Sequence, residues 1–381
     1  MNILLHQRTI PDYRVSLFNY LKDEFGSIFF FVGNKRKKDT VKEADIKFNE
    51  NFIKIRNYYG FKNKFYISSF FIKLILINPK IVILEYSLTN LNIYTYFFFR
   101  PILKYKIILW SHGWNRVKGF NPAESLIDKV RIYFMRKADA LLVYAQSSKR
   151  ILQDYVGSDK IFVTNNTIDT KKALKCYEIL VKEGRENVKR RLGFNHKHNL
   201  IFVGRMIKEK EPERLLNYFV EVKKVLPDIA LHYIGEGPMR EVLVNIVERM
   251  KIEDVCFYDA IYNEEKIGAY IYSSDLMIVP GYLGLVINHA FCFECPVLSQ
   301  LNGKDWSHAP EIDYLTNGKN GFLVAYNNDY QAVSVVIEYL KDECLQKQMR
   351  KNAIDTIKES ALIENMINAF RDVINYCELT K

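Results

Sequence analysis

The stretch Phe202-Val203-Gly204-Arg205-Met206-Ile207-Lys208-Glu209-Lys210 decides how the chain is read. Leu200 to Val203 is a short apolar run that ends on a glycine, as a buried parallel strand does where its backbone must turn sharply. Two cations five residues apart, Arg205 and Lys210, follow at the end of that strand and can converge on a ligand there. A departing diphosphate needs such a pair: arginine offers a planar fork, lysine a point charge, and together they stabilise negative charge as a phosphate ester breaks.

Moving outward, the next strand, Leu231 to Ile234, runs into Gly235-Glu236-Gly237-Pro238. This is a glycine turn opening a helix, whose free N–H groups suit a phosphate or the edge of a base. Further strands are expected at Val255 to Tyr258, Leu276 to Val279 and Pro296 to Ser299, with helical stretches between them. The first half repeats the pattern, with apolar runs at 2–6, 28–32, 81–85, 107–110, 140–144 and 161–163 and helical stretches at 13–25, 122–136 and 147–155. Strand-helix alternation implies doubly wound parallel sheets, and open α/β sheets bind ligands at the carboxyl ends of their strands. A chain of 381 residues is too long for one ordinary core. The predicted architecture is therefore α/β, two Rossmann-like domains facing a cleft. The charged helical segment 171–191 leads to Gly193-Phe194-Asn195-His196, which predicts domains at 1–192 and 193–350, with 351–381 as terminal helices packing back on the first domain.

Composition narrows the function. Hydrophobic residues make up 49% and charged residues 26%, as in a folded globular protein. No run approaches the roughly 18 to 20 apolar residues of a spanning helix, since Lys73 interrupts one candidate and Arg100 another. The first residues, Met1 to Arg8, read as a strand and not a signal peptide, so a cytoplasmic location is expected, with peripheral contact at the inner face of a membrane. Six cysteines lack the spacing of a disulfide scaffold, and Cys292-x-x-Cys295 reads as core packing because no second pair completes a zinc site. Charge is uneven: residues 1–180 hold 30 Lys and Arg against 15 Asp and Glu, a net +15 within a chain of net +11. That half is also rich in aromatics, as in Tyr94-Thr95-Tyr96-Phe97-Phe98-Phe99, and its basic clusters include Lys35-Arg36-Lys37-Lys38 and the pair Lys104 and Lys106. Such a face can meet an anionic lipid surface or be an ordinary solvated one. No nucleic-acid module accompanies it, so nucleic acid is not an expected partner.

The order Gly204-Arg205…Lys210, Gly235-x-Gly237, Tyr272-Ser273-Ser274-Asp275, Val279-Pro280, Gly284-Leu285, Pro310-Glu311 and Asn317-Gly318-Lys319-Asn320-Gly321, preceded by Asn165-Asn166-Thr167, resembles the donor-binding domain of retaining glycosyltransferases of family 4, which have the GT-B fold. The resemblance covers roughly 160–325. It implies a nucleotide-sugar donor, with Arg205 and Lys210 on the diphosphate, Gly204, Gly235, Gly237 and Asn166 shaping the nucleotide pocket, and the first domain taking a saccharide or lipid-linked acceptor in surface polysaccharide synthesis. Trp110-Ser111-His112-Gly113 lies where many members place a histidine, so His112 would bond the transferring sugar; Arg8 to Arg14 would be the loop after the first strand. One departure stands out: the two glutamates usual in the family fall on Gly281 and His289. His289 can still bond a ribose hydroxyl or phosphate oxygen, being donor and acceptor when neutral. Glu311 can offer sugar hydroxyls the carboxylate that Gly281 cannot, and Glu85 is an acceptor-side carboxylate or a plain strand-end charge. No Asp-x-Asp pair occurs, so no metal is expected, and with the nucleotide sugar as substrate no cofactor is expected. Two other readings remain open: a nucleotide-sugar epimerase, for which no paired acid and base residues present themselves, and a catalytically weak donor-binding subunit of another transferase.

Overall fold

The computed structural model describes residues 1–36, 44 and 48–380, so Lys37 and Lys38 of the basic run lie outside the described residues. The chain divides into two compact units, 1–165 with 363–381, and 166–362.

The first unit is built on strands β1 (Ile3–Gln7), β2 (Ile28–Val32), β3 (Phe52–Lys54), β4 (Asn57–Gly60), β5 (Phe65–Ser68), β6 (Ile81–Glu85), β7 (Lys106–Ser111), β8 (Ala140–Val143) and β9 (Ile161–Val163). Seven of them form a parallel sheet in the order β3-β2-β1-β6-β7-β8-β9, while β4 and β5 make a separate antiparallel hairpin. Sequences such as Ile81-Val82-Ile83-Leu84 are apolar at every position because both faces of such a sheet are covered. Helices α1 (Val15–Phe25) and α14 (Ile363–Leu379) cover one face. The other is covered by α2 (Phe71–Ile77), α3 (Asn92–Leu103), α4 (Leu126–Lys137) and α5 (Gln146–Leu152).

The second unit opens with α6 (Thr170–Glu183) and α7 (Arg185–Leu192) and continues through β10 (His198–Val203), α8 (Pro212–Val225), β11 (Ile229–Ile234), α9 (Arg240–Met250), β12 (Val255–Tyr258), α10 (Glu264–Ser273), β13 (Leu276–Ile278), α11 (Val286–Cys292), β14 (Val297–Gln300), β15 (Gly321–Val324), α12 (Asp329–Lys341) and α13 (Glu343–Ser360). Its sheet is parallel, ordered β12-β11-β10-β13-β14-β15. The order reverses between β10 and β13, which makes the carboxyl ends of those two strands the topological switch point.

The division between units falls at 165/166, earlier than the 192/193 that the sequence suggests. Helices α6 and α7 pack against α10, and Ala173, Leu180 and Val188 enter the core of the second unit, so apolar contact assigns them there although their composition resembles a linker. The terminal helices also separate. Helix α13 belongs to the second unit and α14 to the first, where Phe370 meets the Trp110 ring edge-on at 5.1 Å. The hairpin β4-β5, strand β3 and helices α2 and α3 are not distinguishable in the sequence pattern, where aromatic residues run through them without period. Cys292 and Cys295 are free and buried in the second core, and burial raises both thiols above the ordinary range. No helix among the described residues is long and apolar enough to cross a membrane.

Candidate active site

At the switch point of the second unit, two loops leave adjacent strands and run backbone against backbone. Gly204 N–H donates to Ile234 O at 3.0 Å, and Met206 N–H to Glu236 O at 2.8 Å. The approach is so close that a Cβ on Gly235, at φ +139°, would lie 2.2 Å from Gly204 O, and one on Gly237 would lie 2.4 Å from Met206 O. The three glycines named from the sequence therefore meet at one place, and their role is to let the chain carrying Arg205 lie flat across the mouth of β11.

A single 3-10 turn, Lys208–Lys210, then returns the chain over the strand end. Lys210 is buried, its ammonium 5.9 Å from the centre of the Phe202 ring, and a Cβ on Gly204 would touch its Nζ at 2.8 Å. Among the described residues it has no carboxylate or other hydrogen-bond partner. Burial first, and the neighbouring Arg205 second, lower its pKa to about 8. Arg205 is exposed and likewise unpaired among the described residues. Two cations held together without a counter-ion, one of them desolvated, form a site organised for an anion.

The loop is braced from the far side. Gly281 N–H donates to Lys210 O at 3.1 Å, and Trp306 Nε1–H to the Glu211 carboxylate at 2.9 Å. Any Cβ at position 281 would lie 2.2 Å from Glu209 O. This explains the glycine where the family resemblance places a glutamate: the strand-end loop with Lys210 occupies that space. Gly281→Glu is accordingly expected to lower stability by about 1 to 3 kcal/mol through overpacking and to weaken nucleotide binding, as read by thermal unfolding with and without UDP. Improved activity in that variant would contradict the geometry.

His289, in the last turn of α11, bonds through Nδ1 to the Glu264 carboxylate at 3.1 Å. Because a carboxylate accepts, Nδ1 carries the proton in the neutral ring, and Nε2 is left as an acceptor. Asn166 and Glu311 are brought together. Both are buried, the Asn166 amide donates to the Glu311 carboxylate, and Tyr314 O–H donates to Asn166 O at 3.0 Å. Next to them Asn288 donates to Thr167 Oγ1 at 3.1 Å, which donates to Ala361 O at 2.6 Å. These groups tie the first residues of the unit to α11 and to the end of α13, a structural use that spacing alone does not reveal.

In the first unit, the ends of β1, β6, β7 and β8 gather a second polar cluster. Glu85 accepts from Arg8 N–H at 3.0 Å. The His112 ring lies against Tyr144 at 4.3 Å in a residue that stays exposed overall, and desolvation of the ring first, with the charges of Arg14 and Arg116 second, lowers its pKa, so it is neutral at physiological pH. Arg14 is buried, stacks 4.5 Å from the Trp110 ring centre and donates to Tyr144 O–H at 2.8 Å, while its Nε has no partner among the described residues. In the sequence Arg14 falls in the loop after the first strand and Tyr144 ends an apolar run, neither marked as a site residue. The signal available for Arg14 was its place just after the first strand; Tyr144 gave none.

Residues 184–356 match the family described as glycosyl transferases group 1, and they lie wholly inside the unit that holds Arg205 and Lys210. The match covers most of the second unit. An uncharacterized glycosyltransferase of Methanocaldococcus jannaschii is 25% identical over 284 residues, 71% of this chain and 68% of that protein. The N-acetyl-alpha-D-glucosaminyl L-malate synthase of Bacillus anthracis is 22% identical over 274 residues, 70% of this chain and 67% of that one. Among solved structures, Anabaena HepE in complex with UDP aligns over 98% of this chain and 100% of its own with a TM-score of 0.71 and 13% identity. The sucrose-phosphate synthase of Thermosynechococcus elongatus aligns over 98% of each chain with a TM-score of 0.69 and 15% identity. Those likenesses give the fold, GT-B. With that match and these likenesses, the chain is a glycosyltransferase of that architecture.

Proposed function

We propose that this glycosyltransferase is a retaining enzyme that moves a sugar from a nucleotide-diphosphate donor to a saccharide or lipid-linked acceptor in surface polysaccharide synthesis. The observation that carries the donor half is the pairing of exposed Arg205 with buried Lys210 at the switch point, without a counter-ion among the described residues. On this reading the two cations hold the diphosphate and neutralise it as the glycosidic bond breaks, in place of a metal ion. His289 offers Nε2 to the ribose, and the donor's own phosphate oxygen takes the acceptor proton during front-side attack, so no side-chain base is required. Solved relatives of similar fold are described with UDP-glucose in one case and as involved in lipopolysaccharide biosynthesis in another, and a sequence relative lies in the cps region of Klebsiella pneumoniae. These support the donor and polysaccharide parts.

On the acceptor side, neutral His112 bonds the transferring sugar, with Glu85 and Arg14 beside it. The purified chain, offered a panel of nucleotide sugars, is expected to release nucleoside diphosphate from one of them and to keep the anomeric configuration in the product. Arg205→Ala should lower that turnover about 100- to 1,000-fold. Unchanged turnover in the variant removes the assignment, and binding without release would make the chain a donor-binding subunit.

A further inference from the structure

Helices α2, α3 and α4 lie side by side on the first sheet: the Phe71 and Phe99 rings meet at 4.3 Å, and Phe97 and Phe134 at 5.2 Å. Their inner residues, Leu74, Ile93, Tyr96 and Met135, are core. Their outer residues are apolar as well. Ile72 and Leu76 on α2, Phe98 and Ile102 on α3, and Leu126 and Ile127 on α4 are 60 to 79% exposed. A helix layer that is apolar on both sides is not finished by solvent.

The charge on this layer is one-sided. The three helices carry six cations, Lys73, Arg100, Lys129, Arg131, Arg136 and Lys137, against one carboxylate, Asp128, which Arg131 already pairs. Between α3 and α4 opens a cavity of about 630 Å³ whose walls combine Phe97, Tyr133 and Phe134 with Arg100, Lys104 and Lys137. Arg100 is engaged by Asp139, whereas Lys104 and Lys137 have no carboxylate partner among the described residues.

We propose that the α2–α3–α4 face docks on an anionic lipid surface, with the exposed aliphatic and aromatic side chains entering the interface and Lys104 and Lys137 meeting lipid phosphates. Charge complementarity selects this occupant. A second copy would bring the same face against itself in a two-fold dimer, cations opposing cations. Nucleic acid would leave the protruding Ile72, Leu76 and Ile102 unburied. An anionic bilayer satisfies both features at once, because its headgroup layer attracts Lys and Arg while its acyl boundary accepts apolar side chains.

The test is co-sedimentation of the full chain with phosphatidylcholine vesicles, with and without about one third phosphatidylglycerol. Binding is expected on the anionic vesicles at about 0.1 M salt and to fall at about 1 M, where the Debye length shrinks from about 10 to about 3 Å. Phe98→Asp with Ile102→Asp, and separately Lys104→Glu with Lys137→Glu, should each reduce the bound fraction at least about tenfold. Tyr330→Asp, at a tyrosine 83% exposed on the other unit, should change nothing. Unchanged thermal unfolding of all three variants would show that the folds are intact. The proposal is overturned if the chain stays in solution with anionic vesicles, binds neutral ones equally, or binds undiminished after either double substitution. It is also overturned if the Phe98/Ile102 variant dissociates a dimer while the parent ignores vesicles.

Discussion

Lys210→Met should abolish most donor turnover, lowering kcat by about 100- to 1,000-fold, while raising the melting temperature at neutral pH. The two effects have one cause. The ammonium is buried against Phe202 without a counter-ion among the described residues, and burial holds its pKa at about 8, against 10.5 in an open chain. Below about pH 8 the folded protein carries the full cost of that charge, on the order of 3 kcal/mol. Between about 8 and 10.5 the unfolded chain holds the proton and the folded chain does not, so stability rises with pH across this window. Methionine, of similar length and no charge, removes the cost but also the electrostatic stabilisation of a departing diphosphate. In the parent enzyme, kcat/KM should fall as pH rises through about 8, because the deprotonated amine no longer neutralises the donor. Lys210→Arg should move that limb beyond the measurable range. A Met variant with normal turnover, or a parent with a flat profile to pH 10, would show that the amine does not serve the reaction.

The second large effect is expected at Gly235. Alanine there must adopt φ +139° and place its methyl 2.2 Å from Gly204 O. Backbone strain and overpacking each cost about 1 to 3 kcal/mol, so the loss should reach about 2 to 6 kcal/mol in thermal or denaturant unfolding. Nucleotide binding should be lost as well, because relief of the clash displaces the Gly204-Arg205 segment. Gly60→Ala is the contrast: nothing lies within 4 Å of the added methyl, and its effect should be small. If Gly235→Ala bound UDP like the parent, the backbone-to-backbone packing of the two loops would not be what positions the cations.

Much of this site was legible because it lies along one strand end. The run from Phe202 to Lys210 announces a buried strand, a glycine turn and two cations within nine residues, and local rules suffice to read them. The same holds for Gly235 and Gly237, where a short apolar strand meets a turn. Gly281 was legible only as a missing glutamate. Its reason, the carbonyl of Glu209 lying across it, belongs to a segment more than 70 positions away. Glu311 was read as a carboxylate offered to sugar hydroxyls, and its partner Asn166, 145 residues earlier, was not legible beside it. Tyr144 and Arg14 were likewise joined only by the sheet that orders β1, β6, β7 and β8.

Periodicity and turn chemistry by themselves determined that this chain alternates strands and helices in two parallel-sheet domains, and which strand end bears the pair of cations, since both depend on neighbours within a few residues. Tertiary structure alone decided that α6 and α7 join the second unit, that Lys210 is desolvated while Arg205 is not, and that the outer face of α2, α3 and α4 stays apolar and uncovered. Burial is a property of what packs against a residue, and contacts between distant segments leave no mark in the local pattern of either.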